Sequence, residues 1–294
     1  MIVRPRRILM IFSILIFSAL AFVSCYGSWN FWYDGNSVDE RTKSIRILSD
    51  KSDKQFAESG ISSLGGKYTV LVLSDTHFGN KKKEVNCKKL YKWLDSKKGS
   101  EDYPAFAICL GDATDLGYRD EFDEYKVFCK TLCIDYNLKL VFNSCGNHDI
   151  YQNNWDNWER DCYPHTSFYA FQTQKLSWYC LDTASGAVGM NQYKKLLHEF
   201  ENDSRPKVVF THYPYVRFNL NCSNMAETTE RNLLIAAFYA NKVKCLLGGH
   251  NHTQTYDNLG YNDYGIPSFA YSEKWGLLFV DEDKEEIYLD FIGD

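Results

Sequence analysis

The chain has 294 residues, 45% of them hydrophobic and 16% aromatic, with a formal net charge of −5. This length suits one large domain or two small ones, and the composition excludes a disordered or collagen-like chain. An acidic balance of this kind makes a poor non-specific binder of nucleic acid, and no specific nucleic-acid binding is expected.

Residues 1–25 stand apart from the rest. The basic stretch "MIVRPRR" precedes the apolar run "ILMIFSILIFSALAFV", broken only by Ser13 and Ser18, and "SCYGS" follows. That is the order of an export signal. The run falls short of the roughly 20 apolar residues of a membrane-spanning helix. "FVSC" resembles the lipobox of a bacterial lipoprotein, with Phe22 in place of the usual Leu and Cys25 as the residue to be lipidated. Lipidation, an uncleaved anchor and plain secretion are the three outcomes weighed. Each implies an exported chain, and the first is the expectation: a lipoprotein of the cell envelope, held to the membrane through its N-terminus. Removing Arg4, Arg6 and Arg7 leaves 30 basic against 38 acidic residues, a net charge of −8.

Residues 26–66 read as a tether or N-terminal extension. The cluster "WNFWY" suits either a strand or tether packed on the domain or a membrane-proximal anchor. Residues 44–66 are rich in Ser, Asp, Lys and Gly, with one early strand expected at "SIRIL". A single domain is expected from residue 67 to residue 294.

From Lys67 onward five apolar runs alternate with helical patterns. The runs are "KYTVLVLSD", "AFAICLGD", "KLVFNSCGNHD", "KVVFTHYP" and "KCLLGGHNH". Near-continuous apolar runs are expected of strands covered on both faces. Helices are expected over "KKLYKWLDS", "DEFDEYKVFCKTLC", "QYKKLLHEFEN" and "TTERNLLIAAFYANK", the last with Thr at its N-cap. The stretch "SFYAFQTQKLSWYCLDT" reads as a hairpin. The tail from Ser268 reads as antiparallel strands turning at "DEDKEE". The fold class is therefore α/β.

Ten cysteines are present. Cys109, Cys145, Cys180 and Cys245 lie in apolar runs and read as small buried hydrophobes. Cys87, Cys129, Cys133, Cys162 and Cys222 are in more polar surroundings and could pair in an oxidising compartment. No C-x-x-C motif occurs.

Every one of the five runs ends in potential ligands. In order these are Asp75 and His77, Asp112 and Asp115, Asn147, His148 and Asp149, His212, and finally His250 and His252; five of the seven histidines are among them. Ligands bind beyond the carboxyl ends of strands in open α/β sheets, so these segments could converge. Mixed oxygen and imidazole donors suit Mn, Fe or Zn, and their number exceeds the need of one ion.

The blocks "SDTH", "GDATD", "GNHD", "THYP" and "GGHNH", in this order, resemble those of the calcineurin-like metallophosphoesterases. The resemblance covers residues 67–255 by motif. It implies two mixed β-sheets packed face to face and flanked by helices, and two divalent or mixed-valence metal ions. It implies hydrolysis of phosphate mono- or diesters, in which a hydroxide shared by the ions attacks phosphorus in line with the leaving group. By the same resemblance Asp75, His77, Asp112 and His252 would hold the first ion, and Asp112, Asn147, His212 and His250 the second. His148 would act on the phosphoryl group, and Asp149 would orient its imidazole. Asp115 is expected either as a structural hydrogen-bonder or as a partner behind the ligands. The implied partner is a phosphate-ester small molecule or phosphorylated substrate. The alternative function is a non-catalytic envelope lipoprotein that uses the fold as a binding module.

Weaker features surround these blocks. Lys81, Lys82, Lys83, Lys88 and Lys89 read as a solvated helix face or as an attractor for phosphates. Trp155, Trp158, Tyr163 and Phe168 read as core or as a substrate wall, with core favoured.

Overall fold

The structure is a computed structural model that describes residues 37–215 and 228–293. Its strands in chain order are β1 (Arg46–Ile47), β2 (Lys67–Leu73), β3 (Pro104–Cys109), β4 (Val141–Asn143), β5 (Tyr169–Gln172), β6 (Ser177–Cys180), β7 (Lys207–Phe210), β8 (Val243–Gly248), β9 (Thr255–Asn258), β10 (Asn262–Gly265), β11 (Trp275–Asp281) and β12 (Glu286–Ile292). Its helices are α1 (Val38–Arg41), α2 (Lys54–Ser59), α3 (Lys83–Lys97), α4 (Arg119–Ile134), α5 (Trp155–Asp161), α6 (Met190–Asn202), α7 (Thr228–Ala240) and α8 (Phe269–Ser272).

The strands form two mixed sheets, as the family resemblance implies. One has the order β12-β11-β2-β3-β4 and the other the order β1-β5-β6-β7-β8-β10-β9. In the first, β2, β3 and β4 run parallel; in the second, β6, β7, β8 and β10 run parallel. The five ligand-bearing runs thus point their carboxyl ends the same way within each sheet.

Strand periodicity sorts the side chains. Val70 and Val72 of β2 face the inter-sheet core, while Leu71 and Leu73 face the helices. In β7, Val208 and Phe210 face inward and Val209 outward. Aromatic rings join the two sheets: Phe142 stacks on Phe171 at 4.1 Å between centroids, and Phe106 meets Trp178 at 5.4 Å. Such pairs add about 0.5–1.5 kcal/mol each beyond the area they bury. Helices α3, α4 and α5 cover the outer face of the five-stranded sheet, and α6 and α7 that of the other. Helix α6 buries Gln192, Leu196 and Phe200, spaced four apart, which is one helical face.

Three regions differ from the sequence reading. The described part of the extension, residues 37–66, is built into the domain rather than tethering it. There β1 pairs in parallel with β5, and Leu48, Phe56 and Ile61 enter the inter-sheet core. The widely spaced apolar residues of this stretch conceal that packing. Its turns are fixed locally, as where Asp53 caps α2 by accepting from Phe56 N at 2.9 Å. Second, the tail opens with the short helix α8 before β11 begins. Third, β9 and β10 form an antiparallel pair that the polar sequence does not signal.

The eight described cysteines are free; Cys109, Cys145, Cys162, Cys180 and Cys245 are buried. Trp155, Trp158, Tyr163 and Phe168 are also buried and belong to the core. No helix among the described residues is long and apolar enough to cross a membrane. The signal-like segment, Cys25, "WNFWY", Arg217 and Cys222 lie outside the described residues.

Candidate metal centre

After β2, β3 and β8 the chain leaves the strand through a tight bend. Asp75, His77, Asp112, His250 and His252 all take left-handed backbone conformations, with φ between 44° and 64°. Non-glycine residues are uncommon there, and the strain persists only where the surroundings hold it. Neighbouring bends brace one another: Asp75 N donates to Gly111 O at 3.1 Å and His77 N to Asp112 O at 3.0 Å. Two glycines are required by close approach. A Cβ on Gly146 would stand 2.1 Å from Asp112 N, and one on Gly249 would stand 2.0 Å from Ser74 Oγ. These are the glycines of "GNHD" and "GGHNH".

One group of donors gathers around His212. Its Nδ1 lies 2.7 Å from Leu110 O and donates to it, which turns Nε2 into the pocket. There Nε2 lies 3.3 Å from Asp112 Oδ2, 3.1 Å from Asn147 Oδ1 and 3.2 Å from His250 Nδ1. Asn147 presents its oxygen because its Nδ2 donates to Tyr151 Oη at 3.0 Å. Asp112, His212 and His250 have ligand atoms within 4.8 Å of one another.

The field at this point favours positive charge. Burial lowers His212, but the Asp112 carboxylate outweighs it and pushes the imidazole up to about 9. Burial acts against the Asp112 carboxylate too, yet the His212, His148 and His77 rings hold it well below the usual carboxylate range. His250, buried and beside the His212 charge, is pushed down to about 4.

A second group comprises Asp75, His77 and His252, again within 4.8 Å. Asp75 Oδ1 lies 3.2 Å from His252 Nε2, and Asp75 Oδ2 accepts from His250 N at 3.1 Å. Burial pushes the Asp75 carboxyl up, but the His252 and His212 rings outweigh this and leave it low. His77 is buried, and neither of its ring nitrogens makes a hydrogen bond. Its Nδ1 is 3.2 Å from Asp115 Oδ1 without the alignment of one. Buried polar atoms are ordinarily hydrogen-bonded. Bare imidazole nitrogens beside a buried carboxylate therefore fit a divalent cation, which would satisfy both.

His148 lies on the open side of these groups. Its Nδ1 is 2.6 Å from Asp115 O, and its Nε2 is 4.0 Å from Asp112 Oδ2. The sequence reading assigns Asp149 to orient this ring; the structure assigns that contact to the Asp115 carbonyl. The fully buried Asp149 carboxylate instead accepts from Gly146 N at 2.9 Å, Thr114 N at 3.0 Å and Thr114 Oγ1 at 3.1 Å. It ties the "GDATD" and "GNHD" loops together. Burial and the Asp112 charge push it up to about 7.

All seven expected ligands thus come together, with His148 beside them. Sequence reasoning missed three tyrosines. Tyr213 stacks on His250 at 3.8 Å between centroids, Tyr151 packs on His148 at 4.4 Å, and Tyr271 stacks on His252 at 5.3 Å. Tyr213 and Tyr151 lie next to motif residues and were open to suspicion; "SFAYSEK" gives no hint of Tyr271. Of the lysines, Lys89 pairs with Glu273 in the open, as a solvated helix face would, while Lys83 pairs with Glu124, is largely covered and lies over the Phe78 ring. His198 is exposed, as its helical position suggests, and His165 lies outside the cluster with its Nδ1 on Glu159 O at 2.8 Å.

A two-sheet α/β fold with clustered His and Asp ligands at its strand ends is the architecture of a metal-dependent phosphoesterase. The sequence profile of the calcineurin-like phosphoesterases matches residues 68–254, and the chain belongs to that family. Among solved structures it resembles a dimetal phosphatase from Danio rerio, at 12% identity and TM-score 0.55, covering 77% of this chain and 96% of that one. It also resembles GAP50, the anchor in the inner membrane complex of Plasmodium, at 12% identity and TM-score 0.56, covering 78% and 89%. At these identities the likeness is one of fold. No curated protein matches the chain.

Proposed function

We propose that the chain is a phosphoric ester hydrolase working with two divalent ions of the Mn, Fe or Zn type. The observation that carries this reading is the gathering of Asp112 Oδ2, Asn147 Oδ1 and His250 Nδ1 at 3.1–3.3 Å from His212 Nε2, beside the group of Asp75, His77 and His252. Asp75, His77, Asp112 and His252 would hold one ion; Asp112, Asn147, His212 and His250 the other. Such ions supply Lewis acidity, lowering the pKa of bound water and neutralising charge on the phosphoryl oxygens.

The remaining work falls to the chain. The Leu110 and Asp115 carbonyls commit the Nδ1 atoms of His212 and His148, so both rings face the pocket through Nε2. When His148 is protonated, its Nε2–H attracts the anionic substrate and can pass to the leaving oxygen. Asp149, by clamping two loops, keeps Asp112 and His148 in register. The proposed setting, an exported protein held to a membrane by its N-terminus, rests on residues 1–25 alone.

The fold shared with GAP50, an anchor by its description, motivates a second reading: a binding module without turnover. A complete ligand set and an intact His148 argue against it. The deciding experiment loads the full-length protein with Mn, Fe or Zn and presents p-nitrophenyl phosphate, bis-p-nitrophenyl phosphate and a panel of natural esters. Turnover that disappears with chelation and returns with metal is expected. Bound metal with no turnover of any ester would favour the module.

A further inference from the structure

The family match ends at residue 254, yet one side chain beyond it lies directly on the candidate centre. We propose that Tyr271 is a positioning residue for the ion that Asp75, His77 and His252 would hold, with its ring face fixing two imidazoles at once. The inference rests on the two-ion reading above.

Tyr271 is 44% exposed, so burial of apolar area is not its main employment. Its ring stacks on His252 at 5.3 Å and 26°, and the same ring lies 5.4 Å from that of His77. The His77 and His252 rings meet edge to face at 5.4 Å, so the three rings form one contiguous cluster.

The backbone beneath Tyr271 is tied to the metal loop. Phe269 N donates to Ser74 O at 2.8 Å, Ala270 N to Asp75 O at 3.2 Å and Ser268 Oγ to Asp75 O at 3.0 Å. From the other side, the buried Asn86 amide donates to the Phe269 and Ala270 carbonyls. The phenol is fixed as well. Asn80 Nδ2 donates to Tyr271 Oη at 3.0 Å, and Asn80 N donates to His77 O at 2.9 Å. Lys82 Nζ, which issues from the same turn, stands 5.4 Å from the ring centroid.

This half of the centre needs such support. His77 makes no hydrogen bond through its ring. Around the other ion, a carbonyl sets the ring of His212, a phenol sets the amide of Asn147, and Tyr213 stacks on His250. Metal-bound imidazoles are normally oriented by a hydrogen bond from their second nitrogen, and removing such support typically weakens metal affinity about 10–100-fold. Here an aromatic face takes over that orienting role, and its favourable geometry is that of stacked and edge-to-face rings.

The test is a zinc titration of full-length protein in detergent, followed by equilibrium dialysis and elemental analysis, with no activity readout. Wild-type protein is expected to take up two ions per chain. Tyr271→Ala is expected to keep one at wild-type affinity and to weaken the other about tenfold or more. Tyr271→Phe, which keeps the ring, is expected to stay near wild type, and circular dichroism with a melting curve checks that the variants fold. Tyr271→Ala binding both ions as wild type does, weakening both equally, or being matched in its loss by Tyr271→Phe would overturn the inference alone. Fewer than two ions on wild-type protein would overturn the two-ion reading and this inference with it.

Discussion

Two clusters built on buried carboxylates lie in this molecule, and they differ in how those charges are matched. Arg41 and Asp182 form a closed one. Arg41 Nε donates to Asp182 Oδ2 at 2.7 Å and Nη2 to Oδ1 at 3.0 Å; Ser167 Oγ and Ala184 N supply further donors at 2.6 and 3.0 Å. In the second cluster Asp112 and Asp75 face the rings of His212 and His252 at 3.3 and 3.2 Å, while both ring nitrogens of His77 lack a hydrogen bond. A buried charge is tolerated when it is paired and hydrogen-bonded. The closed cluster meets that condition from within and ties α1 to the segment after β6. The open one would be completed by a cation from outside. Burial alone does not mark a functional site; the second cluster stands out by the convergence of several carboxylates and imidazoles.

The largest expected effect tests the open cluster. Asp112→Asn should lower turnover on the order of a thousandfold or more, because it weakens the charge shared by both proposed ions. The melting temperature of the metal-free protein should fall near neutral pH, since the His212, His148 and His77 rings that hold the Asp112 carboxylate below its usual range lose that charge. Near-normal turnover would remove Asp112 from the shared position.

Arg41→Ala should do the reverse, costing about 3–5 kcal/mol of stability while metal uptake stays unchanged. Arg41, with the bonds from Ser167 and Ala184, outweighs burial and holds the Asp182 carboxyl below its usual range. A carboxylate whose folded pKa is depressed contributes stability fully above its unfolded pKa, about 3.9. That contribution is lost as pH falls from there through the folded value. Denaturant melts of wild type and variant should therefore converge as pH drops below about 4. A gap that persists undiminished in acid would show that the charge pair is not its cause.

The smallest expected effect sharpens the edge of the open cluster. His148→Ala should retain both ions and lose about a hundredfold in turnover, the loss ascribed to a missing proton donor. Elemental analysis showing a lost ion would make His148 a ligand instead.

The sequence made the parallel strands legible because their apolar runs are continuous, and each closes on a polar cluster. It made the seven ligands legible because every one sits within a few residues of such an end. The extension escaped it: Leu48, Phe56 and Ile61 are separated by polar turns, and nothing local says that they share a core with Phe171 and Trp178. Tyr271 escaped it for the same reason, lying nineteen residues past His252 in a stretch with no motif.

From its own order of residues, the chain determined the α/β alternation and the ligand types, since strand period and donor chemistry are local. Tertiary structure alone decided that Asp115 holds His148 through its carbonyl, that Asp149 clamps loops instead, and that Tyr271 covers His252. Those contacts join residues distant in the chain, and only the packing of two sheets fixes how far apart their ends come to rest.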